Sequence, residues 1–258
     1  MWKIIPLNVG TTEIDKSLEI LRRRQGEKVN SVFLAYYLTN GKRKVLVDAG
    51  PPDLERSKKW HPYTNPRISE EQKINNALKK IGVKCEDIEV VFFTHLHWDH
   101  IGGIPYFTNA QFIVSKKELL YAINPSPILY VAYEAPQLGM TPLYLTVMPR
   151  VKTIDFKEKE IMPGISVLPT PGHTEGSISL IIETKDGPYV IAGDAINCYD
   201  NLRGEPKNGL KYLPSGIYTN LDDMWDSIAL IHEKAQLKID HVLPGHDFQV
   251  LNHESYPV

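Results

Sequence analysis

Short apolar runs recur along the chain, and most end in glycine, proline, aspartate or histidine. Val45 to Val47 leads into Asp48, Ala49 and Gly50; Val90 to Phe93 leads into His95. Val190 to Ala192 leads into Gly193 and Asp194, and Val242 to Leu243 into Pro244, Gly245 and His246. Ile165 to Leu168 and Ile178 to Ile182 flank a turn at Pro171, Gly172 and His173. Runs of this length, bounded by turn residues, predict strands. Helical periods lie between them. Ile74, Ala77, Leu78 and Ile81 fall at i, i+3, i+4 and i+7, and Gly82 stops the run. Ser69 with Gln72 three residues on has capping-box spacing and predicts the start of this helix. A second helix is expected to begin near Asp222, with Met224, Trp225, Ile228 and Ile231 on its inner face. Strands that share their faces with helices and with each other predict α/β layers. No Gly/Ser-rich linker divides the chain, so one domain over residues 1–258 is expected.

Residues 121–149 break this alternation. Pro125, Pro127, Pro136, Pro142 and Pro149 stand among Tyr121, Tyr130, Tyr133 and Tyr144. So many prolines exclude one long uninterrupted helix. Three readings stay open: an apolar lid over a pocket, a protomer contact and hence a homodimer, or a wrapped segment that buries its aromatics in the core.

Composition narrows the class. A formal charge of −2 with 23% charged residues argues against a broad surface for polyanions. The basic run Arg22, Arg23 and Arg24 reads as a solvated loop or helix end. Cys85 and Cys198 are the only cysteines, without metal or redox spacing, so a reducing compartment is the default. The first residues lack a signal-peptide core, and no apolar stretch nears the roughly 20 residues that cross a bilayer. A cytoplasmic protein with no membrane or nucleic-acid partner is expected.

The chemistry concentrates at the ends of the predicted strands. His95, His97, Asp99 and His100 fall within six residues, directly after an apolar run and before Gly102 and Gly103. Imidazole and carboxylate together suit zinc and other borderline divalent metals. His173, Asp194 and His246 each follow a strand-like run beside a glycine. Seven donors are too many for one tetrahedral ion, and suit two if a carboxylate bridges them. Two divalent metal ions are expected, zinc first, with iron, manganese or cobalt compatible. His61, His232, His241 and His253 fit no ligand spacing.

This set of motifs resembles the metal signature of the metallo-β-lactamase superfamily. Asp48-Ala49-Gly50 is similar to its upstream Asp-x-Gly element. The form of the His95–His100 motif, the Pro171–Thr174 turn, and Pro214, Gly216 and Ile217 leading to Asp223, Met224, Ser227 and Ile228 are closest to the N-acyl-homoserine lactonases. The likeness spans roughly residues 30–250. It implies a four-layer αβ/βα sandwich. It also implies that His95, His97 and His173 hold one metal, that Asp99, His100 and His246 hold the other, that Asp194 bridges, and that Asp48 orients a ligand imidazole.

The implied activity is attack by metal-bound hydroxide on a lactone, or a related ester, that bears an apolar acyl group. Asp99 would relay a proton to the leaving group. One position departs from the pattern. Lactonases of this kind carry a tyrosine three residues after the bridging aspartate, where the phenol helps polarise the carbonyl. This chain has Asn197 there, with Tyr199 or Tyr218 as candidates to reach the same space. A thioesterase of the glyoxalase II kind shares the motif but needs a cationic docking patch, for which no downstream Lys/Arg cluster is evident. A phosphodiesterase favours a basic groove. Di-iron flavoproteins of the superfamily carry Glu where His97 stands.

Overall fold

The computed structural model describes residues 1–258. One sheet has the spatial order β1 (Lys3–Asp15), β2 (Lys28–Thr39), β3 (Lys44–Val47), β4 (Val90–Phe92), β5 (Gln111–Ser115) and β6 (Val151–Ile154). The other has β11 (Val242–Pro244), β10 (Gly187–Gly193), β9 (Ile178–Thr184), β8 (Ile165–Pro169) and β7 (Lys159–Met162). The helices are α1 (Lys16–Glu19), α2 (Leu54–Trp60), α3 (Ile74–Lys80), α4 (Trp98–Ile101), α5 (Lys116–Ile123), α6 (Tyr199–Arg203) and α7 (Leu221–Lys234). No helix is long and apolar enough to cross a membrane.

Period-two alternation on β2 explains the layering. Leu34, Tyr36 and Leu38 join one core cluster with β8, β9, β10 and Met224, Ile228 and Ile231 of α7. Phe33, Ala35 and Tyr37 point the other way, into a second cluster with Ile74, Ala77 and Leu78 of α3. The order is therefore helix, sheet, sheet, helix: the expected αβ/βα sandwich. Strands covered on both faces need apolar residues at successive positions, which is why β3, β4 and β10 read as continuous runs.

The predicted helix behind Ser69 is split. Ser69 and Gln72 do form the capping box, with Ser69 N–H donating to Gln72 Oε1 at 3.0 Å. The box closes only a 3₁₀ turn, Glu70–Gln72, and Lys73 is extended (ψ 135°) before α3 begins. Gln72 also donates to Asn8 Oδ1 at 2.9 Å, which ties the turn to β1. The second helix begins one residue before Asp222, capped by the Asn220 side chain. Met224, Ile228 and Ile231 are fully buried, while Trp225 is half-buried against Tyr212.

Residues 121–149 combine two of the expected readings. After α5 the chain makes 3₁₀ turns at Pro127–Leu129, Pro136–Leu138 and Leu143–Arg150. Tyr133 and Tyr144 are buried in the core beneath α5. Ile128, Leu129, Val131 and Ala132 instead form one wall of a cavity.

Adjacent parallel strands end at the same rim. β3 and β4 are parallel, as are β10 and β11, so the loops that follow them leave one edge of the sandwich together. Open α/β sheets bind ligands at such carboxyl ends. Gly102 makes the close approach possible: a Cβ there would lie 2.0 Å from Pro51 C and 1.9 Å from Pro52 N.

Candidate metal centre

All seven predicted ligands meet at this rim. His95 and His97 come from the loop after β4, and Asp99 and His100 from α4. His173 sits in the β8–β9 turn, Asp194 directly after β10, and His246 after β11. Three groups have donor atoms within 4.8 Å of one another: His95, His97 and His173; His95, His100 and Asp194; and Asp99, His100 and His246. The chain thus carries a cluster suited to two ions, with Asp194 between the halves. Asp194 Oδ1 lies 3.2 Å from His100 Nε2 and 3.1 Å from His246 Nε2, while Oδ2 lies 3.5 Å from His173 Nε2.

Hydrogen bonds behind the rings decide which nitrogen faces the centre. Asp48 accepts from His100 Nδ1 at 2.9 Å, and from Thr94 N–H and Oγ1, both at 2.8 Å. This anchoring holds Asp48 in a left-handed conformation (φ 57°) that a non-glycine residue seldom adopts. His173 Nδ1 donates to Ile217 O at 3.0 Å, and His246 Nδ1 to Val32 O at 2.9 Å. With Nδ1 engaged in this way, Nε2 is left forward as a lone-pair donor, as metal-binding histidines require. His97 meets the centre through Nδ1, 3.0 Å from His173 Nε2. Two imidazole nitrogens so close either share a proton or converge on a cation.

Charge and burial fit a cation as well. His95 Nε2, His100 Nε2 and Asp194 Oδ1 are buried without a hydrogen-bond partner, an arrangement that proteins rarely leave uncompensated. Burial holds the His95 and His97 imidazoles well below their ordinary pKa, so they are neutral and able to coordinate. Burial also works against a proton on His100 and His246. Asp194, joined by Asp48 and Asp99 at His100, overrides it, and His246 is pushed up to about 9. Asp194 itself is desolvated, yet His246, His100 and His173 hold it well below the usual carboxylate range. The site therefore stabilises positive charge around one ionised carboxylate, which a proton or a divalent ion can supply. Gly245 is required beside it: a Cβ there would come within 2.6 Å of Asp194 Oδ1.

The sequence reading missed Glu118, which holds the ligand loops from beneath. This fully buried carboxylate accepts from Leu96 N–H at 2.9 Å, Tyr133 Oη at 2.9 Å and Thr174 Oγ1 at 2.7 Å. One side chain thereby ties the His95–His97 loop, the His173 turn and the 121–149 segment. Ser115 and Glu118 have capping-box spacing, and Ser115 Oγ does accept from Glu118 N–H at 3.0 Å. The Glu118 carboxylate, however, leaves the helix end for the loops. In Glu118→Gln one of the three donors meets an NH₂ group. An expected loss of about 1–3 kcal/mol should appear in denaturant unfolding. Metal affinity by chelator competition should fall roughly 10–100-fold. Wild-type affinity in the variant would show that Glu118 does not position the ligands.

Above the cluster lies a cavity of about 250 Å³. Phe33, Tyr63, Trp98, Ile128, Leu129 and Ile217 supply much of its apolar wall; Asp99, Asp194 and Asn197 line it near the metal cluster. No lysine or arginine lines it. Trp98 is fixed by stacking on His61 (3.9 Å, 9°) and by an edge contact with Phe33 (5.5 Å, 75°). His61 lies 3.4 Å from Glu134, which pairs with Arg56, so that histidine supports the wall. None of His61, His232, His241 and His253 belongs to a metal-capable group.

Two phenols proposed for this chamber are elsewhere. Tyr199 opens α6, its N–H donates to Asp247 Oδ2, and its ring lines a different cleft with Arg203 and Tyr256. The expectation of a catalytic Tyr199 is thereby corrected. Tyr218 is 38% exposed and does not line the cavity either. The phenol that does line it is Tyr63, whose Oη is 3.5 Å from His61 Nδ1. Tyr63 is 65% exposed at the mouth; together with Trp60, His61 and Trp98 it already pointed in the sequence to an apolar pocket.

Similarity to known proteins agrees with this geometry. An N-acyl homoserine lactonase of a Bacillus species is 32% identical over 212 residues, which is 79% of this chain and 79% of the relative. A crystal structure of a Bacillus thuringiensis AiiA variant with N-decanoyl-L-homoserine bound at its active site superposes with a TM-score of 0.74. It is 25% identical and covers 97% of this chain and 95% of its own. The dizinc quorum-quenching lactonase AidC, at 20% identity, shares the fold with a TM-score of 0.70 over 95% of this chain and 87% of its own. The family model described as metallo-beta-lactamase superfamily matches residues 26–246, and the chain belongs to that superfamily.

Proposed function

We propose that this protein is a binuclear, zinc-dependent lactonase that opens small lactones bearing an apolar acyl group, N-acyl homoserine lactones among them. The observation that carries the reading is the junction of two features. A histidine–carboxylate cluster for two ions opens into a chamber with an apolar wall and no lysine or arginine. Imidazole and carboxylate donors without thiolate suit zinc, and the relatives that are lactonases favour the same chemistry. A glutathione thioester or a phosphodiester would bring anionic groups that no cation in the wall meets.

In this reading His95, His97 and His173 hold one ion, Asp99, His100 and His246 the other, and Asp194 both. Ions bound there supply an acidified water, with a pKa near 7, and an electrophile for the carbonyl oxygen. The chain's own residues do the rest. Phe33, Trp98 and Ile128 take the acyl chain and keep bulk water from the carbonyl. Asp99 Oδ2 stands 3.8 Å from His246 Nε2 and 3.9 Å from His100 Nε2, with the carboxylate partly open to the chamber. It is placed to hold a proton and pass it to the ring oxygen as that oxygen leaves. In a lactone the leaving alkoxide stays tethered, so its protonation also opposes re-closure. Cys198 takes no part as a nucleophile, because burial pushes its thiol up to about 12.

The test is a substrate panel with the zinc-reconstituted protein: N-hexanoyl homoserine lactone, an S-acyl glutathione and an aryl phosphodiester. Ring opening should exceed the other two reactions by about 10²-fold or more in kcat/KM, since each competitor would leave charges unpaired in the chamber. Faster thioester or phosphodiester cleavage would replace the lactonase reading.

A further inference from the structure

Trp98 opens α4, the short turn of helix that carries Asp99 and His100. A helix of four residues does not hold itself, and its cap residue, His97, makes no side-chain bond to the turn. The two ligand candidates on it differ in support. His100 is anchored through Nδ1 to Asp48 at 2.9 Å. The Asp99 carboxylate has no such anchor: its approaches to His246 Nε2 and His100 Nε2, 3.8 and 3.9 Å, exceed hydrogen-bond reach. Its place therefore follows from the backbone of the turn, and so from whatever fixes Trp98.

The support of Trp98 is costly to build. Its backbone N–H donates to Ala132 O at 2.9 Å, and its ring meets Phe33 at an edge and the face of His61 in a stack. His61 is fully buried, with Nε2 3.4 Å from Glu134 Oε1 and Nδ1 3.5 Å from Tyr63 Oη. Glu134 is a buried carboxylate in a left-handed conformation (φ 47°). It is held by Arg56 of α2, which also donates to Thr141 O at 3.1 Å. A buried charge and a strained backbone both cost stability, and such costs gather at functional sites. Here they converge on the plane of one imidazole. We propose that His61 is a positioning residue: stacked on Trp98 and held by Glu134, it fixes the turn that presents Asp99 to the metal centre and the substrate. The proposal rests on the reading of Asp99 as metal ligand and proton carrier, and it gives His61 no contact with substrate.

The experiment compares His61→Ala, His61→Phe and His61→Gln with wild type in the zinc-loaded protein. In chelator competition, His61→Ala should weaken one of the two zinc equivalents by roughly 10-fold and leave the other unchanged. At saturating zinc, kcat on a short alkyl lactone should fall about 10–100-fold, and on an aryl ester far less, because the displaced group is the proton carrier. His61→Phe returns a flat ring to the face of Trp98 and should recover most of both losses. His61→Gln keeps a partner for Glu134 but loses the stack, so it should behave like alanine; it decides if the alanine variant does not fold. Added to Asp99→Asn, His61→Gln should lower kcat by less than about 2-fold more, since both act through one carboxylate. Fully multiplicative losses in that double variant, or wild-type zinc affinity in His61→Ala or His61→Gln, would overturn the role of His61. If wild type opens no lactone, the lactonase reading falls, while the zinc competition still decides this one.

Discussion

Alanine at Asp194 should empty the metal centre and lower kcat/KM on lactones by more than about 10³-fold. Asp194 is the one carboxylate that faces both halves of the cluster, through Oδ1 toward His100 and His246 and through Oδ2 toward His173. Its loss leaves the imidazoles and Asp99 to hold two dications in a buried space, with no charge between the halves to offset their repulsion. Mass spectrometry for metals after gel filtration should find about two equivalents in wild type and fewer than one in Asp194→Ala. Circular dichroism should be unchanged, because the β10 strand is held by the β9 and β11 ladders rather than by this side chain. Two tightly held equivalents in the variant would show that Asp194 does not bridge.

The candidate ligands stood out in the sequence because each follows an apolar strand, directly or within one short loop and turn of helix. Strands β4, β8, β10 and β11 are rigid and buried, so the residues just beyond their ends are carried to a shared rim. The α7 period was legible for the same reason: one face of a 14-residue helix must be apolar to pack on a sheet. Chain position says less where a side chain chooses between local and distant partners. Glu118 has the spacing of a helix cap but leaves the cap for Leu96, Tyr133 and Thr174. Ser69 and Gln72 form their box, yet Gln72 also reaches Asn8, and the helix restarts beyond Lys73. Tyr199 is only five residues from Asp194, but as the first residue of α6 it directs its ring into another cleft. The wall built from 121–149 was ambiguous because its aromatics fill the core and its aliphatic residues line the cavity. Composition alone cannot separate the two.

Asp99→Asn should separate proton delivery from metal binding. Asp48 and Asp99 both stand beside His100, but their settings differ. Asp48 is 3% exposed and accepts three hydrogen bonds, which suits a residue that orients a ring. Asp99 lines the chamber where a substrate would lie. Asparagine keeps the shape and one oxygen donor but cannot take up a proton at the reaction pH. With metal supplied to saturation, kcat on an alkyl lactone should fall about 10²–10⁴-fold, the usual span for losing a general acid. An aryl ester releases a phenolate that needs little help from an acid, so its loss should be smaller by an order of magnitude or more. The difference between the two substrates is the decisive reading, since weakened metal binding alone lowers both together. Equal losses at full metal occupancy would confine Asp99 to a ligand and place the leaving-group proton on another residue of the chamber.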